Sequence, residues 1–110
     1  MQIEKKENYT LISSDENSFE EFYKGFLNLD KDLKETHLIL QISEDINITN
    51  KYFLLFLNIA TQNKESGTSF VVVNTSANVD EFPETFNIVP TLQEAEDIIE
   101  MENIERELGF

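Results

Sequence analysis

The chain contains no cysteine. Disulfides, thiolate nucleophiles and cysteine-ligated zinc or iron–sulfur centres are therefore excluded. Histidine is almost as scarce: His37 is the only one in 110 residues, so multi-histidine metal centres of the dinuclear zinc hydrolase and nuclease kind are excluded too. Three glycines, none of them clustered, leave no phosphate-cradling loop. Apolar runs are short. The longest, Tyr52 to Leu57, falls far below the roughly 20 residues that a membrane span needs. The opening residues Met1 to Asn8 are polar and charged, with no apolar stretch of signal-peptide type after them. A cytoplasmic location is expected.

Positive charge is the next shortage. Eight Lys+Arg stand against 22 Asp+Glu, a formal net charge of −14. Nucleic-acid binding rests on a basic footprint that releases counterions, and none exists here. Anionic membranes are repelled for the same reason. A solvated acidic surface accounts for this balance. So does a docking face for a protein partner whose own contact face is basic.

What is present is enough for one core. A chain of this length is expected to form a single domain and to bury roughly two-thirds of the surface its unfolded form exposes. Hydrophobic residues make up 40% of it, with nine Phe and three Tyr.

The hydrophobic pattern predicts an opening hairpin, Met1 and Ile3 before the polar turn Lys5 to Asn8, then Tyr9 to Ile12. Ser18-Phe19-Glu20-Glu21 fits a capping box. Behind it, Phe19, Phe22, Tyr23, Phe26 and Leu27 fall on one helical stripe. The charged stretch Asp30 to Glu35 reads as a connection to His37–Ile42, a nearly continuous apolar run suited to a strand covered on both faces. A second helix is predicted from Thr49 or Asn50 to Ser66, apolar nearly all round in its first half and so deeply buried, with Gly67 as its left-handed cap. Phe70–Val73 is a β-branched strand, and Phe86–Val89 another, stopped by Pro90. Thr91-Leu92-Gln93-Glu94 opens a last helix reaching about Leu108. Its inward positions are Leu92, Ala95, Ile98, Ile99 and Met101. Its outer face carries Glu94, Glu96, Asp97, Glu100, Glu102, Glu105 and Glu107 against Arg106 alone. The order ββ-α-β-α-β-β-α implies an α/β domain: a mixed, largely parallel sheet flanked by helices.

No catalytic constellation stands out. A Ser-His-acid arrangement would have to use His37, which reads better as a strand-end or core histidine and has no Ser beside it in a nucleophile motif. The pairs Asp15-Glu16, Glu44-Asp45 and Asp80-Glu81 lack the alternating acids and central glycine of a calcium loop, and read as surface charge. Neither a metal nor another cofactor is implied, and the expectation is a protein that is not an enzyme.

The run Leu38 to Ser43, then Ile46-Asn47-Ile48-Thr49-Asn50 leading into an apolar helix, then Gly67 and Phe70–Val73, resembles the core of a STAS domain. This is the family that includes the bacterial anti-sigma factor antagonists. The ending Phe86-Asn87-Ile88-Val89-Pro90-Thr91-Leu92-Gln93-Glu94-Ala95 is similar to the family's closing strand and the start of its last helix. The resemblance covers most of residues 37–108 and rests on the order and spacing of loose motifs. It implies a STAS-like fold and a non-enzymatic, regulatory, protein-binding role. One departure matters. Signalling members carry a strand-end D-S-[ST]-G motif whose Ser accepts phosphate from a kinase, and the matching positions here are Thr49, Asn50, Lys51 and Tyr52. Asn50 cannot take a phosphate on oxygen, so the switch is not carried over. The resemblance implies a partner-contact face at Thr49, Asn50 and Lys51, with Asn74 and Thr75 on a neighbouring strand end. As an alternative, Thr49 or Asn50 simply caps the second helix. A second functional class is a small-ligand-binding module that uses the crevice at the carboxyl ends of the parallel strands.

Overall fold

The apolar runs become the inner strands of a five-stranded sheet. The computed structural model describes residues 1–44, 54–75, 82–83 and 86–109. Its strands are β1 (Gln2–Lys5), β2 (Thr10–Ser13), β3 (Leu38–Gln41), β4 (Phe70–Val73) and β5 (Asn87–Val89), paired in that order across the sheet. β1 runs antiparallel to β2, and β2 through β5 run parallel. The α/β class and the mixed, largely parallel sheet expected from the sequence are both present.

Four helices lie among the described residues: α1 (Phe19–Leu27), α2 (Lys31–Lys34), α3 (Leu57–Glu65) and α4 (Leu92–Glu107), with a 3-10 turn at Leu54–Phe56 leading into α3. Side chains alternate across a strand, and each central strand here is apolar on both sides. Ile12, Leu38, Leu40, Phe70 and Val72 face the layer that holds Phe19, Phe22, Phe26 and Phe56. Leu11, Ile39, Val71 and Val73 face the opposite layer, against Ala95 and Ile99 of α4. α1 and α3 thus cover one face of the sheet, and α4 covers the other.

Local chemistry sets the helix ends. Ser18 and Thr91 are both extended N-caps whose hydroxyls accept the backbone N–H of Glu21 and Glu94, each at 3.2 Å. Gly67 closes the α3 end with φ +84°, a left-handed conformation that a β-carbon disfavours.

Several expectations need correction. The charged stretch after α1 is not merely a connection, because Lys31–Lys34 closes one helical turn. The second helix is not buried all round: Leu54 and Leu55 are 46% and 44% exposed, while Phe56 is fully buried. The cause is that only one side of this segment meets the sheet. Its predicted beginning, Thr49 to Phe53, lies outside the described residues. On α4 the inward positions Leu92, Ala95, Ile98 and Ile99 pack against the sheet as expected, and Met101 alone does not. At about 100° per residue, Ala95, Ile99, Glu102 and Arg106 follow one line, and it faces the sheet. Met101 falls away from that line and is 54% exposed. Glu96, Glu102 and Arg106, read as outer-face residues, are all half-buried.

Candidate functional site

Every parallel strand ends its C-terminal side at the same rim of the sheet, and there an open crevice of about 460 Å³ forms. Its lining is hydroxyl- and amide-rich, with Ser14, Gln41, Ser43, Glu44, Asn74 and Thr75 among its residues. The chain builds this rim with side-chain hydrogen bonds where the ladder stops. The Ser43 N–H donates to Ser14 Oγ at 2.7 Å, and the Asn74 side-chain amide donates to the Ile42 carbonyl at 3.2 Å. The Asn74 backbone N–H donates to the Val89 carbonyl at 3.0 Å. Asn74 therefore ties the ends of β3, β4 and β5 together, and it is buried, at 6% exposure. Thr75 is exposed, and its hydroxyl donates to the Glu44 carboxylate. Of the five residues expected at a contact face, Asn74 and Thr75 come together at this rim. Thr49, Asn50 and Lys51 lie outside the described residues.

At the other end of the strands a second polar cluster stands. His37 precedes β3, as expected of a strand-end histidine, and its Nδ1 accepts the Ser69 backbone N–H at 2.9 Å. The Ser69 hydroxyl donates to Glu102 Oε1 at 2.6 Å and accepts from Arg106 at 3.0 Å. Glu102 also accepts the Asn87 side-chain amide at 3.1 Å, and Arg106 donates to Asn103 Oδ1 at 2.6 Å. Burial, and then the neighbouring Arg106 charge, hold the His37 ring below its ordinary pKa, with Glu102 pulling the other way.

A serine, a histidine and a glutamate in one cluster invite a catalytic reading, and the geometry rejects it. The histidine nitrogen described accepts from the serine's backbone, not from its hydroxyl. The hydroxyl is engaged on both sides, and Ser69 is 1% exposed. The cluster pins α4 to the N-terminal ends of β4 and β5. Sequence reading missed Ser69, Asn87, Glu102 and Arg106 here. The available clue was periodicity, since Glu102 and Arg106 continue the Ala95–Ile99 line.

Among the described residues, no three His, Asp or Glu side chains gather as a metal ion would require, and no helix is long and apolar enough to cross a membrane. A comparison with protein-family models finds no match, and a comparison with curated proteins finds no relative.

Proposed function

We propose that this chain is a non-enzymatic, cytoplasmic regulatory domain of STAS-like type that binds a protein partner and lacks the phosphoserine switch. The observation that carries this reading is the pairing of two strand ends at one rim. Ser43 and Glu44 follow β3, and Asn74 and Thr75 follow β4, with Thr75 bonded to Glu44. The segment containing Thr49, Asn50 and Lys51 begins a few residues after Glu44 in the sequence, and its resemblance to the switch position gives the rim a regulatory meaning. The net charge of −14 favours a partner with a basic contact face, over nucleic acid or an anionic membrane.

The test is affinity capture from the protein's own cells with wild type, Asn50→Asp and Thr49→Ala, beside the peptide mass of the 49–51 segment. The reading expects an unmodified segment, and a partner retained by wild type but lost on Asn50→Asp. A stoichiometric phosphate on Thr49 that abolishes capture would restore a conventional switch and overturn the proposal. The polar crevice of about 460 Å³ favours a second reading, a small-ligand module with hydroxyl and amide contacts. A small molecule retained in native mass spectra, with no partner captured, would select it.

A further inference from the structure

The outer side of α4 is chemically divided in a way that core packing does not explain. Met101, Ile104 and Leu108 are 54%, 50% and 66% exposed. Their spacing of three and then four residues puts them on one line along the helix. Singly exposed apolar residues are ordinary, but a straight apolar line on one helix face is the form that a docking helix reads. Exposed Glu100 and Glu107 border the line on one side, and exposed Glu105 on the other. Arg106 is the one cation in α4, and it is turned inward onto Ser69 and Asn103. The polar pins at Ser69 and Asn87 also fix the helix's rotation, so the apolar line cannot be rolled into the core without breaking them.

Charge decides what covers this line. A second copy would set Glu100, Glu105 and Glu107 against their own equivalents, like charge on like charge. A membrane-surface helix needs Lys or Arg flanking its apolar side, and this one has carboxylates. We infer that the outer face of α4 is a docking surface for an amphipathic helix of a partner protein, apolar along one stripe and basic on both flanks. The Met101–Ile104–Leu108 line receives the partner's apolar side chains at helix-packing spacing. The flanking glutamates pair with its lysines or arginines and set its orientation. This face is built apart from the strand-end rim and does not rest on the function proposed above.

The probe is a synthetic peptide of about four helical turns, with leucines at i, i+3, i+4 and i+7 and flanking lysines. A scrambled peptide of the same composition is compared with it. The amphipathic peptide is expected to bind about tenfold more tightly than the scramble, and to shift the amide resonances of residues 97–108. The double substitution Met101→Ser with Ile104→Ser should erase that preference while leaving the thermal midpoint unchanged, because exposed substitutions of this kind are nearly neutral to folding. Equal binding of both peptides would reduce the attraction to net charge and overturn the inference. So would shifts confined to the strand-end rim, or a wild-type dimer that the double variant converts to monomer.

Discussion

His37 Nδ1 accepts the backbone N–H of Ser69 at 2.9 Å, joining the N-terminal ends of β3 and β4 by a bond that a protonated ring cannot make. Burial and Arg106 both oppose protonation, and Glu102 only partly offsets them, so the folded ring has a depressed pKa. The unfolded chain therefore takes up a proton first as pH falls. Stability associated with His37 is complete above the unfolded value of about 6.5 and is lost as pH drops from there towards the folded value. Denaturant melts across that window should show the slope in wild type. His37→Gln, which keeps an acceptor and removes the titration, should flatten it. Parallel profiles for the two proteins would show that the ring is not linked to folding.

The hub of the α1–α3 layer gives a second prediction. The Phe56 ring meets Phe19, Phe22, Tyr23 and Phe26 edge-on, at centroid distances of 5.5, 6.5, 5.6 and 5.8 Å. It also lies 6.0 Å from Phe70 on β4. Truncation at this fully buried position leaves a cavity that neighbouring rigid rings cannot fill, so Phe56→Ala should cost about 3–5 kcal/mol. Leu54→Ala, two residues earlier on the exposed side, should stay within about 0.5 kcal/mol. Equal losses at both would mean that Leu54 is buried after all.

Which parts of this were legible in the sequence follows from how far each interaction reaches. Phe70–Val73 could be read because β-branching and flanking turn residues act locally. The Phe19–Phe22–Phe26 stripe could be read because a helix repeats its own pattern. Capping at Ser18 and Thr91 acts over three residues. The placement of Glu102 obeyed a longer-range rule: it faces inward because Ser69 and Asn87, 33 and 15 residues away, supply its donors. No helical period announces that partnership, so the sequence pattern alone puts the carboxylate in solvent and Met101 in the core. At the strand-end rim, the family resemblance puts Asn74 and Thr75 at a strand end, and both follow β4. Burial of Asn74 was not foreseen, since its amide is satisfied by the Ile42 carbonyl of a neighbouring strand.

The Ser69 hydroxyl is both donor and acceptor between two charged groups, which makes its energetics non-additive. Ser69→Ala removes a partner from Glu102 and another from Arg106 at once, in partly buried surroundings. The expected cost is about 1–3 kcal/mol. In a double-mutant cycle with Glu102→Gln, the second change should cost less once the first is made, with a coupling of at least about 0.5 kcal/mol. Additive losses in chemical denaturation would show that the two side chains do not act as a unit.

Tyr9 supplies the last prediction, at the opposite end of the pH scale. Its hydroxyl donates to Glu96 Oε2 at 2.8 Å, joining the start of β2 to α4. Burial comes first, and the bond to a carboxylate second, in pushing the phenol up from 10.0 to about 12. Both causes disfavour the phenolate. Between those two values the unfolded chain has lost the proton and the folded chain keeps it, so this contact's contribution to stability falls as pH rises from about 10 towards 12. Ultraviolet titration of wild type minus Tyr9→Phe isolates the one phenol, and its midpoint should lie near the upper value. Glu96→Gln should lower that midpoint without returning it to 10.0, because burial, the larger cause, remains. A wild-type difference curve centred near the ordinary phenol value would show that Tyr9 is solvated and that its bond to α4 does not persist in solution.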